Sequence, residues 1–420
     1  MKKIVYIILS LILLLTLTPF YACGGGSGDN YGQTTITPKQ KAVYPVNQRE
    51  ERPVQVKTEI SEFDAFSEDC VKWLGRNKTG EYYGETAVAL TNVASGFSVS
   101  FKGSRLTVRI YSTAGAVANI GNGYIRVYVD GESRRVELTT NNAYYDLVVA
   151  KNLDAAEIHT VKVLKATEED FSRLYVSGIS TDGAFYTPDL ASDLKIDFYG
   201  DSITAGFGIL GHGDETALTQ TSSSLWDGTL TYAALVSDYL DADFNTVCKQ
   251  GIALSSACDT NLVGFSMKEV YQNYSVYDDT PWDYSKYQPD IIVINLGTND
   301  YSSLIGTSAG TTIFNPNAET DAKLNAFLED YTAMISDLHI KCPKAKILCC
   351  LGMMNAASLY SEIENMVNGL RKNGADYVYS VELFTGKLGA FGHPSVSSNE
   401  VNAGIVLEAL SAYCGINARN

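Results

Sequence analysis

The sequence predicts a chain in two parts, an all-β sandwich followed by an α/β domain whose parallel sheet is covered on both faces. Three observations carry this. The chain has 420 residues, more than one typical domain. From about Gln55 to Ile179, short apolar/polar alternations are broken by turn residues. After Asp193, continuous apolar runs alternate with stretches of helical spacing, the pattern of a buried parallel sheet. The boundaries read as 55–188 for the sandwich and 189–420 for the α/β domain.

In the first part, "GFSVSFKGSRLTVRIYS" alternates around a Lys-Gly-Ser turn, and "GYIRVYVDGESRRVEL" places Asp130-Gly131 between two strands, a hairpin signal. In the second part, "KIDFYG", "FNTVCKQG", "DIIVINLG", "AKILCCLGM" and "DYVYSVELF" read as strands. Between and after them, "TYAALVSDYL", "AKLNAFLEDYTAMISDLHI", "YSEIENMVNGLRKN" and "NEVNAGIVLEALSAYC" read as helices.

The formal net charge of −16 disfavours nucleic acid as a partner, while an uncharged polymer remains compatible. Lys2 and Lys3 precede the apolar run Ile4–Phe20, which is shorter than the roughly 20 residues of a spanning helix and has the layout of a secretory signal. Tyr21-Ala22-Cys23 followed by glycines resembles a bacterial lipoprotein processing site. The resemblance implies removal of residues 1–22 and lipidation of Cys23, which would hold an exported chain on a membrane. An ordinary cleaved signal and an uncleaved anchor are the alternatives. Residues 23–54, rich in Gly, Thr, Gln and Pro, read as a flexible tether. Of the 8 cysteines, Cys349-Cys350 look like small core residues and Cys248 and Cys258 are candidates for pairing. No C-x-x-C pair and no Cys/His grouping has zinc-like spacing, so neither a metal nor another cofactor is expected.

In open parallel sheets, ligands bind beyond the carboxyl ends of the strands. Those ends carry Gly200-Asp201-Ser202, Gln250-Gly251 and Gly297-Thr298-Asn299-Asp300, and the last loop holds His393. Acyl transfer needs a nucleophile, a base and donors for a developing oxyanion. Ser202 at a strand-to-helix turn is the candidate nucleophile, with Ser202, Gly251 and Asn299 as oxyanion donors. Taken alone, Gly-Asp-Ser reads equally as a turn and helix cap. Of the 4 histidines, His393 is the best-placed base; His212, in a Gly-rich loop after Ser202, is the second candidate base or a substrate-lining residue.

"GDSIT", the glycine of "KQGIALSS", "GTND" and "GHPS" resemble, in order, the four motif blocks of the SGNH (GDSL) hydrolase superfamily. The leading β part, with "VYVDGE", "IHTVKVLK" and "VSGISTDG" before "IDFYGDSITAG", resembles carbohydrate esterase family 2 over roughly Val71 to Tyr413. The resemblance implies a flavodoxin-like three-layer α/β/α hydrolase domain behind a jelly-roll sandwich. It also implies deacetylation of plant polysaccharides such as acetylated xylan or glucomannan, through Ser202 and His393. Trp226, Trp282 and Phe391 are then candidates to stack on sugar rings or to be core. Many relatives carry an Asp two or three residues before the histidine, where this chain has Phe391 and Ala390. No acidic residue occurs from Leu383 through Asn399, so the expectation is a Ser-His dyad whose ring is held by a backbone carbonyl. Asp201 and Asp300 read as bonding loop amides. A non-catalytic carbohydrate-binding surface lipoprotein and a lipase- or thioesterase-like acyl hydrolase are the competing readings.

Overall fold

A computed structural model describes residues 48–49, 55–113, 121–140, 143–212, 223–258, 263–304, 318–386, 389–416 and 418–419. The leader, Cys23 and nearly all of the tether lie outside these residues.

The first part is a sandwich of two antiparallel sheets. One sheet runs in the order Ala184–Tyr186, Gly96–Lys102, His159–Lys165, Tyr124–Val129, Glu132–Glu137, and Lys72–Leu74 also pairs with Gly96–Lys102. The other runs Lys78–Tyr82, Glu85–Leu90, Leu174–Thr181, Arg105–Ser112, Tyr145–Lys151. Period-two alternation places Phe97, Val99 and Phe101 of the first sheet against Val88, Val108 and Ile110 of the second in one core. Asp130 and Gly131, at φ 50° and 90°, close the tight hairpin between Val129 and Glu132. The Lys-Gly-Ser turn does something else. The strands on its two sides pair with different neighbours in different sheets, so it carries the chain from one layer to the other.

The second part has five parallel strands: β1 (Lys195–Gly200), β2 (Asp243–Cys248), β3 (Ile291–Asn295), β4 (Lys346–Leu351) and β5 (Val378–Glu382). Their order is β2-β1-β3-β4-β5, the flavodoxin-like winding. Its helices are α1 (Ser202–Ala205), α2 (Tyr232–Tyr239), α3 (Thr298–Leu304), α4 (Ala318–Lys341), α5 (Ala357–Lys372) and α6 (Val396–Cys414). Ile292, Ile294 and Cys349 point to one face, where α4 and α5 supply Tyr331, Ile335, Leu359 and Ile363. Ile291, Val293 and Cys350 point to the other, against Val236 of α2 and Val406 and Leu410 of α6. Covering both faces is why the strands read as unbroken apolar runs. The adjacent cysteines therefore lie on opposite faces, and all seven described cysteines, Cys248 and Cys258 among them, are free thiols.

The described residues of the two parts fall in one compact unit. Buried charge joins them. Arg76, just past the Lys72–Leu74 strand, is fully buried; it donates to the carbonyl of Tyr271 at 3.1 Å and to the Tyr199 hydroxyl at 2.8 Å. Its guanidinium also lies 3.5 Å from Asp197 of β1. Arg126 meets Asp227 at 2.6 Å, and Arg135 donates to the carbonyls of Ser223 and Trp226. Removing one partner of a buried pair strands the other charge. Arg76→Ala is therefore expected to cost about 3–5 kcal/mol, read as a lower urea midpoint, whereas Lys57→Ala, at a partly exposed pair with Asp189, is expected to cost under about 1 kcal/mol.

Candidate active site

β1 delivers Ser202 to the carboxyl edge of the sheet. Asp201 caps the turn that follows, accepting the Ile203 N–H at 2.9 Å, and Ser202 opens α1. The last loop is held against this turn by direct backbone bonding. Ala390 N–H donates to Gly208 O at 2.9 Å, and a Cβ on Gly208 would sit 2.6 Å from the Ala390 carbonyl oxygen. Only glycine permits that approach, and Gly208 also has φ +64°. The loop closes on itself through Gly389 N–H to His393 O and His393 N–H to Ala390 O.

The result is a contact between residues far apart in sequence: His393 Nε2 lies 2.8 Å from Ser202 Oγ. The other ring nitrogen, Nδ1, lies 3.2 Å from the carbonyl oxygen of Phe391. With Nδ1 protonated and donating to that carbonyl, Nε2 is free to accept the serine proton. Phe391 adopts a left-handed backbone, φ 55° and ψ 31°, which a bulky residue takes up only under constraint from its surroundings. Among the described residues, no carboxylate is bonded to the ring. His393 is buried, with the Phe207 ring edge-on at 4.3 Å, and burial pushes the imidazole down to about 4.

The donors converge from two further strand ends. Gly251, after β2, has φ 76°, again a glycine conformation. The first turn of α3 fixes this loop: Asn299 Nδ2 donates to Ile252 O at 2.9 Å, and Asp300 accepts the N–H groups of Leu254 and Ser255 at 2.8 and 3.0 Å. The N–H groups of Ser202 and Gly251 have no acceptor among the described residues, and the Asn299 amide keeps a second hydrogen. Burial lifts the Asp201 carboxyl to about 7 and that of Asp300 to about 6.

The other candidates fall elsewhere. Trp226, expected either to stack on sugar or to be core, is core: it is 1% exposed, with Phe171 and Phe207 packed edge-on at 4.6 and 4.3 Å. No ring face is left for a ligand, because the sandwich loop carrying Phe171 fills that side. Trp282 covers Arg76, its ring centroid 5.1 Å from the guanidinium carbon. Phe391 is half-buried beside the site, stacked on Phe207 at 5.4 Å. His212 is exposed, and the ring that meets Ser202 Oγ is that of His393. His159 pairs with Asp130 in the sandwich, and His339 stacks on Tyr377. Cys23 lies outside the described residues. Phe207 was missed; its one signal is an aromatic residue between two glycines just past the serine. Among the described residues, no three His, Cys, Asp or Glu gather as metal ligands would.

A serine at the carboxyl edge of the sheet, itself nearly buried and bonded to a buried imidazole, with spare N–H donors beside it, defines a hydrolase site of the serine type. The family model of the GDSL-like lipase/acylhydrolases matches residues 198–400, and that of the carbohydrate esterase 2 N-terminal domain matches residues 74–188. A cellulase/esterase, CelE, of Acetivibrio thermocellus is 27% identical over 321 residues, 74% of this chain and 37% of its own length. The chain thus spans little more than a third of that relative. An acetylxylan esterase/glucomannan deacetylase of Cellvibrio japonicus is 24% identical over 75% of this chain and 82% of that protein. Among solved structures, a family two carbohydrate esterase from Clostridium thermocellum in complex with cellohexaose has the same fold. It aligns at TM-score 0.70 and 24% identity over 82% of this chain and 99% of that one.

Proposed function

We propose that this chain is a carbohydrate O-acetyl esterase that removes acetyl groups from plant polysaccharides such as acetylated xylan or glucomannan through a serine acyl-enzyme. The observation that carries the reading is the 2.8 Å contact between Ser202 Oγ and His393 Nε2, with Nδ1 turned to the Phe391 carbonyl. His393 takes the serine proton as Oγ attacks the acetyl carbonyl. The N–H groups of Ser202 and Gly251 and the Asn299 amide receive the oxyanion. The tetrahedral species collapses, and the sugar hydroxyl leaves with the proton from His393. Water, deprotonated by the same ring, attacks the acetyl-serine, and acetate leaves as Ser202 regains its proton.

The substrate class is supported by the carbohydrate esterase 2 N-terminal domain and by the names of the sequence relatives. The leader and Cys23 support export and attachment to a membrane by a lipid, which would place the enzyme at the cell surface. Acyl preference tests the chemistry. Activity on p-nitrophenyl acetate is expected to exceed that on the octanoate by at least about tenfold in kcat/KM, with acetate released from acetylated xylan or glucomannan. Preference for the octanoyl ester would sink the acetyl assignment and favour a lipase-like enzyme.

A further inference from the structure

The sandwich reaches into the proposed oxyanion loop with an acid. The turn between its strands His159–Lys165 and Leu174–Thr181 contains Glu168, Glu169 and Asp170, all at or below 5% exposure. A run of three acids in a turn ordinarily faces solvent. Here Glu168 Oε2 accepts the backbone N–H of Gln250 at 2.9 Å, and Gln250 precedes Gly251. Asp170 Oδ2 pairs with Lys249 Nζ at 2.6 Å, and its other oxygen accepts the Tyr277 hydroxyl. Three successive positions, 249 to 251, thus comprise a side chain gripped by the sandwich, a backbone N–H gripped by the sandwich, and the glycine assigned above as an oxyanion donor. Among the described residues the second Glu168 oxygen is buried without a hydrogen-bond partner, so burying this carboxylate carries a desolvation cost that Lys249 and Lys165 offset only in part.

The same turn holds the other side of the site. Ala166 O accepts the N–H of Gly228, and Phe171 packs on Trp226, which packs on Phe207 beside His393.

We propose that Glu168 is a positioning residue for the esterase reaction, aiming the Gly251 N–H at the oxyanion by fixing the Gln250 peptide, so that the sandwich completes the active site. This rests on the esterase reading above. Aim matters because an oxyanion donor acts only when it is fixed at hydrogen-bond distance before charge develops. The reach of the acceptor decides the function, rather than its charge. Glu168→Gln keeps an oxygen at the same reach. Glu168→Asp keeps the charge beside Lys249 but draws the oxygen back by about 1.5 Å. Glu168→Ala removes both.

Two measurements on the purified full chain test this. With p-nitrophenyl acetate, Glu168→Ala and Glu168→Asp are expected to lose about tenfold or more in kcat with KM within about twofold, and Glu168→Gln to recover most of that loss. Amide hydrogen exchange at Gln250, read independently of activity, is expected to speed up in the Ala and Asp variants and to stay slow in Gln. If Ala fails to fold, the Asp and Gln pair decides alone. Unchanged kcat in Asp and Ala, or a loss that follows charge so that Gln resembles Ala and Asp is spared, overturns the inference. Should the wild type lack Ser202-dependent turnover, the esterase reading fails instead, and unaltered exchange at Gln250 in Glu168→Asp would still overturn the positioning role.

Discussion

Ser202→Ala is expected to lower kcat on p-nitrophenyl acetate by about 10⁴-fold or more, and His393→Ala by a similar factor. Nucleophile and base act as a unit, and losing either costs nearly as much as losing both. The double variant is therefore expected to be little worse than either single one. His212→Ala should stay within about threefold of wild type, since His212 is exposed and it is His393 whose Nε2 meets Ser202 Oγ. Wild-type turnover no higher than that of Ser202→Ala would end the esterase reading and favour a carbohydrate-binding surface protein. Loss of turnover in His212→Ala with retention in His393→Ala would overturn the choice of base.

The second large effect is in pH. Burial pushes His393 from 6.5 down to about 4, and only a backbone carbonyl opposes that push. A base with a depressed pKa loses its proton at lower pH, so the neutral imidazole persists well into the acid range. The acid limb of kcat/KM is expected near pH 4 to 5, below the value for a free imidazole. An acid limb at 6.5 or above would reveal a charged partner for the ring. Stability carries terms of both signs across this range. Between about 4 and 6.5 the unfolded chain holds the extra proton at His393, so this group favours the fold as pH rises. Asp201, Asp300 and Glu168, raised by burial to about 7, 6 and 7, hold extra protons in the folded chain and favour the fold as pH falls. These contributions oppose one another, so activity should fade before the protein unfolds, and thermal midpoints measured alongside kcat/KM would separate the two.

The layered sheet was legible because its strands are buried on both faces and its helices carry apolar stripes; both are local patterns. Ser202, Gly251, Asn299 and His393 could be placed because strand ends in such a sheet converge. The lack of an acid near His393 was plain from the loop, and the Phe391 carbonyl now occupies the position beside Nδ1. Trp226 could not be assigned, because its burial depends on Phe171, a residue of the other half of the chain. Glu168 was invisible for the same reason. Its partner at Gln250 lies 82 residues away, and an acidic turn carries no mark of what will cover it. The role of the Lys-Gly-Ser turn was hidden because alternation reports the faces of a strand and is silent on its neighbours.

The buried Arg76–Asp197 contact constrains how such a chain can be recombined. A hydrolase half grafted behind a foreign sandwich would inherit Asp197 without its arginine, and a sandwich moved alone would expose Arg76 where it had been covered. Each half carries one member of the pair, so a viable exchange must bring both or replace both with apolar residues of similar volume. Module boundaries drawn from sequence would cut through this contact, and ancestral shuffling of the two halves would have required paired changes at positions 76 and 197.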